Sequence, residues 1–246
     1  MNLSGEKTAA GVPAAPLPPT ISTIMPAHNE SGNIVAAIQA LVPVLSQLAM
    51  DWEIVVVDDG SQDGTARLVQ GLTREQPRVH LARHEKNIGY GAAVKTGIAR
   101  AQHQLVFITD ADLQFDPAEL KLLVPLAEDF DVVLGYRKRR REHVGRRLNA
   151  WCWGRLMRLL FELRIQDVNC AFKMFRRRIF DRITIHSRGA LVYSEILIQA
   201  QRMGCTITQV PVTHYPRTKG HPSGAKLKTI YRAFSDLVRL YRHLRS

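Results

Sequence analysis

Two acidic clusters, Asp58-Asp59 and Asp110-Ala111-Asp112, each follow directly on an apolar run, Glu53 to Val57 and Leu105 to Thr109. Such runs read as buried strands, and open α/β sheets bind ligands in the crevice outside the carboxyl ends of their strands. Asp110 and Asp112 carry the most information. Alternate residues of an extended chain point the same way, so this spacing aims two hard oxygen ligands at one place, a donor set suited to a divalent cation carrying a diphosphate. The pattern points to an enzyme acting on a nucleotide-linked substrate.

The elements that must position these carboxylates can be read from the hydrophobic pattern. Ile21 to Met25, Glu53 to Val57, Val79 to Ala82, Leu105 to Thr109 and Asp131 to Leu134 are short strand-like runs. Helical patterns lie between them at about 31–49, 64–76, 90–102 and 117–128. This alternation predicts right-handed βαβ units and a mainly parallel, Rossmann-like sheet flanked by helices. Gly60-Ser61 and Asp63-Gly64 supply turn chemistry, Asp63 marks a helix start, and Asp116-Pro117 reads as a cap followed by a first-turn proline. Both acidic clusters are therefore expected on loops above the sheet. Ser31 to Met50 has no charged residue, yet its polar interruptions and helical spacing predict a helix packed on the core.

Composition bounds the rest. At 246 residues with 46% hydrophobic residues, the chain suits one catalytic domain, expected over 20–246 behind a disordered Ala- and Pro-rich tail at 1–19. The net charge of +12 is unevenly placed: residues 1–136 hold 9 Lys/Arg against 16 Asp/Glu, and residues 137–246 hold 25 against 6. The first half suits a metal, the second anions. Three cysteines, Cys152, Cys170 and Cys205, lack metal-site spacing and are expected to be reduced thiols.

Four motifs in order carry a specific resemblance: Pro26-Ala27-His28-Asn29-Glu30, Asp58-Asp59-Gly60-Ser61, Asn87-Ile88-Gly89-Tyr90-Gly91-Ala92 and Asp110-Ala111-Asp112-Leu113-Gln114. From Thr20 onward the chain resembles inverting family-two glycosyltransferases of the GT-A fold. Within them it is similar to polyprenyl-phosphate sugar transferases of the dolichol-phosphate mannose synthase kind. The resemblance implies that Pro26, His28, Glu30, Asp58 and Asp59 line the nucleoside pocket, with histidine at position 28 where tyrosine is common. It implies that Asp110, Asp112 and Gln114 hold Mg²⁺ or Mn²⁺ against the diphosphate of a GDP- or UDP-sugar. The metal would then neutralise charge on the leaving nucleoside diphosphate.

A lipid-phosphate acceptor, with a second pKa of about 6, is already nucleophilic at neutral pH and needs no general base. It needs cations that place it. Arg137 matches the family's Gly-X-Arg, and Arg217 with Gly220 fits its Arg-X-X-Gly-X-Ser-Lys. Ser223 comes one residue late and Lys226 three late, so that loop is longer than in the family. Asp112, Arg137 and Arg217 are the expected catalytic residues, and Arg137, Arg217, Ser223 and Lys226 the acceptor contacts. Asp167-Val168-Asn169-Cys170-Ala171-Phe172-Lys173 and Ser194-Glu195 match further family stretches. For a soluble hydroxyl acceptor, the rival reading, Glu195 or Asp167 would be the base candidate.

Beyond Gly135 come the Arg137 to Arg141 run, a helix expected over about 146–163, a strand over Phe172 to Phe175, and an amphipathic C-terminal helix bearing Leu227, Ile230, Phe234, Leu237 and Tyr241. Either helix could lie on an anionic bilayer, where each nearby Lys or Arg adds about 1 kcal/mol. The expectation is a peripheral enzyme at the cytoplasmic face of a membrane, with room for a membrane protein partner. A basic nucleic-acid-binding protein would explain the arginine run and leave both acidic clusters idle, so no nucleic-acid partner is expected.

Overall fold

The computed structural model describes residues 17–138 and 154–217, together with Leu237 and Leu240. The chain alternates β1 (Thr20–Ala27), α1 (Ile34–Leu48), β2 (Asp51–Asp59), α2 (Thr65–Glu75), β3 (Val79–His84), α3 (Tyr90–Arg100) and β4 (Leu105–Thr109). After the short α4 (Leu120–Leu123) follow β5 (Val132–Arg137), α5 (residues 154–161), β6 (Phe172–Arg176), α6 (Val192–Arg202) and β7 (Ile207–Val212). The seven strands form one sheet in the order β3-β2-β1-β4-β6-β5-β7. All pairings are parallel except those of β6, which runs antiparallel to both β4 and β5.

The strand order reverses between β1 and β4, so the crevice at their carboxyl ends is the topological switch point. β4 is buried along its whole length, and β1 and β2 are buried from their second residue onward, as strands covered on both faces must be. α1 buries Ile34, Ala37, Ile38, Leu41 and Leu45, one face at helical spacing, which makes it the expected core helix. No helix among the described residues is long and apolar enough to cross a membrane.

The structure departs from the sequence reading in several places. Asp58 and Asp59 are not on a loop: they are the last two residues of β2, in register with Arg83 and His84 of β3, and both are buried. The helix expected over 117–128 is broken into a 3-10 turn at Pro117–Glu119, the four-residue α4 and a second 3-10 turn at Pro125–Glu128. Pro125 lacks the N–H that a continuing helix would need. β7, for which the residue pattern suggested no bounds, adds an edge strand that tolerates Pro211.

Of the helix expected over 146–163, residues 154–161 are helical and the earlier part lies outside the described residues. Met157 and Phe161 are buried while Leu159 is 80% exposed. Most of the C-terminal helix, with Arg139 to Arg141, Cys152, Gly220, Ser223 and Lys226, also lies outside the described residues. Leu237 and Leu240 are helical and buried in the main core.

Candidate active site

The loops after β1 and β2 are knitted together by side chains. Asn29 accepts from the Gln62 amide and Glu30 holds Asn33, while Ser61 and Thr65 accept from the amides of Asn29 and Glu30. Asp63 accepts from the Ser31 and Thr65 amides and from the Thr65 hydroxyl. These bonds lower its carboxyl to a pKa of about 2 against the opposing pull of burial. Asp63 thus marks the start of α2 as expected, and also ties α2 to the entrance of α1. His28 Nδ1 donates to the Asp59 carbonyl at 2.8 Å, an assignment consistent with its Nε2 facing the Asn29 amide nitrogen. Pro26 is buried in β1, opposite Val57.

The carboxylates at the end of β2 differ in how far protein donors engage them. Asp59 accepts from His84 Nδ1 at 2.7 Å and from the amides of Ile88 and Gly89 at 3.0 and 2.9 Å. It anchors the loop that leads into α3. Asp58 accepts from the Ser61 amide and faces Arg83 at 3.3 Å. The glycines of this region serve backbone approach. Gly60 has φ +68°, and a Cβ there would lie 2.4 Å from the carbonyl carbon of Lys86. Gly89 has φ +114°, and its Cβ would meet the Arg188 carbonyl oxygen at 2.2 Å. That carbonyl accepts from the amides of Gly91 and Ala92, so the start of α3 is capped by the segment before α6.

Asp110 and Asp112 converge, but by a turn instead of an extended strand. β4 ends at Thr109, and Leu113 takes a left-handed φ of 59°, a conformation that costs a side-chain-bearing residue about 1–2 kcal/mol. The Gln114 amide donates to Asp112 Oδ1 and closes the turn. A strap from the far end of the chain holds it in place. Phe115 and His214 form an antiparallel bridge, Tyr215 and Gln114 exchange bonds of 2.8 and 3.0 Å, and the Glu119 carboxylate takes both the amide and the hydroxyl of Thr213. The strap delivers Arg217, whose guanidinium pairs with Glu30 and lies 3.6 Å from Asp112 Oδ2.

Burial and then the charge of Asp112 push the Asp110 carboxyl up to about 7, against the lowering bond from Tyr90. Burial also raises Asp112, while its backbone bond and Arg217 pull it down. Two adjacent carboxylates that resist joint ionisation form a place where added positive charge is stabilising. The donor set fits a divalent ion of the kind that takes one or two carboxylates and fills its remaining positions with phosphate oxygens. No group of three or more His, Cys, Asp or Glu with metal-holding geometry occurs among the described residues. Gln114, expected as a third ligand, donates its side-chain N–H to the Tyr215 carbonyl, a bond that does not use Oε1, the atom through which an amide would ligate a cation.

Across the crevice, Arg137 grips Asp167 with Nε at 2.7 Å and Nη2 at 3.0 Å. Glu195 accepts from the amides of His186 and Ser187. Both carboxylates weighed as general bases are therefore held by donors. Cys170 and Cys205 are free thiols, and burial lifts Cys170 to about 12.

Three residues of this region were missed as functional candidates. Tyr90 donates to Asp110 Oδ1 at 2.7 Å, and its oxygen lies 2.6 Å from that of Tyr193. Lys173 is fully buried in β6, has no hydrogen-bond partner among the described residues, and lies 4.9 Å from the centre of the Tyr193 ring. Burial holds its ammonium below the usual lysine range. A lysine inside an otherwise apolar strand was a usable signal; the meeting of two tyrosines 103 positions apart was not.

Comparisons with known proteins bear on the family and the fold. The chain is 26% identical over 227 residues to a dodecaprenyl-phosphate galacturonate synthase of Rhizobium johnstonii, covering 89% of this chain and 65% of that protein. It is 29% identical over 228 residues to an undecaprenyl-phosphate 4-deoxy-4-formamido-L-arabinose transferase of Salmonella choleraesuis, covering 92% and 68%. The chain spans about two thirds of the length of these relatives. Glucosyl-3-phosphoglycerate synthase from Mycobacterium tuberculosis, solved with Mn²⁺, UDP-glucose and phosphoglyceric acid, shares the GT-A fold. Its TM-score is 0.72 at 20% identity, covering 91% of this chain and 80% of that one. Residues 22–184, from β1 to beyond β6, match the description Glycosyl transferase family 2. The chain belongs to glycosyl transferase family 2.

Proposed function

We propose that this chain transfers one sugar from a nucleoside-diphosphate sugar to a polyprenyl phosphate, with inversion at the anomeric carbon and with Mg²⁺ or Mn²⁺. The observation that carries the reading is the convergence of Asp110 and Asp112 at the switch point, with Arg217 brought over them from the acceptor half. The names of the relatives in Rhizobium and Salmonella supply the acceptor class.

A phosphate oxygen of the acceptor forms the new bond to the anomeric carbon as the bond from that carbon to the donor diphosphate breaks. The nucleoside diphosphate departs, and no proton has to move. A divalent ion on Asp110 and Asp112 would supply Lewis-acid neutralisation of the leaving group. Glu30 and the loops around His28 and Asp58 form the nucleoside side. Asp59, engaged by the loop into α3, shapes that side from beneath. Arg137, pre-oriented by Asp167, and Arg217 place the acceptor phosphate in line, with Ser223 and Lys226, later in the sequence, as further acceptor contacts. A hydroxyl acceptor is less well served, because Asp167 and Glu195 are both committed to other donors.

Attachment at the cytoplasmic face of a membrane is supported by the exposed Leu159 on α5, beside exposed Arg155 and Arg158. The reading is tested with purified protein, a polyprenyl phosphate, and labelled GDP- and UDP-sugars, with Mg²⁺ or Mn²⁺ and a chelator control. Acid-labile, organic-extractable product from one donor, lost with chelator, is the expected result. Metal-dependent donor hydrolysis without lipid product would overturn the acceptor assignment.

A further inference from the structure

Asp110 does not stand alone at the floor of the crevice. Its Oδ1 accepts from the Tyr90 hydroxyl at 2.7 Å, and the Tyr90 oxygen is in turn 2.6 Å from the Tyr193 hydroxyl. A phenol has one proton to give. With the Tyr90 proton on ionised Asp110, the proton between the two oxygens must come from Tyr193, so the bonds run in series from Tyr193 to Tyr90 to Asp110.

The two rings meet edge to face, with centroids 5.9 Å apart and planes at 69°. The segment before α6 is fixed on α3 independently, by Lys95 donating to the Ile185 carbonyl and by the Gly91 amide on the Arg188 carbonyl. Tyr193 is buried and its ring faces the Lys173 ammonium at 4.9 Å. The series fixes the rotation of the Asp110 carboxyl and leaves its Oδ2 for a cation.

We propose that Tyr193, acting through Tyr90, is a positioning residue that holds the Asp110 carboxylate in the orientation that binds the divalent ion. The inference rests on the metal reading above. Partners that orient a metal ligand from behind typically contribute about 10- to 100-fold in metal affinity. A tyrosine pair that merely fills space would contribute through its rings and leave metal affinity alone.

The test is Mn²⁺ binding in the presence of UDP or GDP, read from the electron paramagnetic resonance signal of the free ion. It compares the wild type, Tyr193→Phe, Tyr90→Phe and the double variant, with melting temperatures alongside. Each single variant keeps its ring, so the fold is expected to persist. The expected result is an Mn²⁺ dissociation constant about 10-fold higher in each single variant. The double variant should be little worse than Tyr90→Phe, as residues acting in series require. The loss of transfer in Tyr193→Phe should be recovered at saturating Mn²⁺. Single variants that bind Mn²⁺ as the wild type does would overturn the positioning role, and additive losses would overturn the series. A wild type that binds no Mn²⁺ would overturn the metal reading and this inference with it.

Discussion

Arg217 and Glu30, 187 positions apart, form an ion pair across the mouth of the crevice, and the same guanidinium lies 3.6 Å from Asp112. One cation from the acceptor half thus sits among carboxylates of the donor half. Arg217→Ala is expected to lower transfer by about 100-fold, because the positioned cation is lost. It should also tighten Mn²⁺ binding in the absence of donor, since Asp112 no longer shares its charge. Calorimetric Mn²⁺ titration beside a transfer assay checks both; weaker Mn²⁺ binding would show that Arg217 does not compete for that carboxylate.

Asp112→Asn keeps the shape of the turn and removes the charge. Transfer is expected to fall to background with the melting temperature within a few degrees of the wild type, because an asparagine can still accept the bond from the Gln114 amide that closes the turn. Retained turnover at saturating Mn²⁺ would contradict the ligand assignment.

Lys173 carries a destabilising charge that can be removed. Its ammonium is buried with no hydrogen-bond partner among the described residues, and burial holds its folded-state pKa below the ordinary lysine value of 10.5. Between those two values the unfolded chain binds more protons, so this contribution to stability rises with pH and is least favourable below the folded-state pKa. Lys173→Met is expected to stabilise the apo protein by about 1–3 kcal/mol. Thermal unfolding across a pH series should show the gain shrinking towards pH 10.5; a gain that does not vary with pH would refute the titration argument.

Gly89 bears the closest backbone approach in the site. Gly89→Ala places a Cβ 2.2 Å from the Arg188 carbonyl oxygen at φ +114°, so the segment before α6 must move off α3. A loss of about 1–3 kcal/mol in chemical denaturation is expected. An unchanged midpoint would mean that this contact is not part of the folded state.

Leu159 is 80% exposed on α5, and Leu159→Asp should weaken sedimentation with anionic vesicles while leaving the melting temperature unchanged. Vesicle binding equal to that of the wild type would remove α5 from the membrane surface.

Much of the scaffold was legible because its signals are local. The runs at Glu53 to Val57 and Leu105 to Thr109 are too apolar for anything but covered strands, and the spacing from Ile34 to Leu45 fixes one buried helical face. Asp63 and Asp116 act at helix and 3-10 starts, as residues whose side chains can replace a missing backbone partner. Pro117 was legible as a first-turn residue; the break at Pro125 was not, because Leu120, Leu123 and Ala127 keep one buried face across it.

The sequence by itself determined the alternation of strands and helices, the family, and the placing of the acidic clusters at strand ends. Hydrophobic period and short-range turn chemistry act within a few residues of one another, so they survive in a linear reading. Only the tertiary structure decided which carboxylates are spent and which remain. Asp59 goes to the loop into α3, Asp167 to Arg137 and Glu195 to two amides, while Asp110 receives a tyrosine pair and Asp112 an arginine from the end of the chain. Those assignments join residues from eight to just over a hundred positions apart. They depend on where β6, α6 and the strap of residues 213–217 come to rest against β4, which no local pattern encodes.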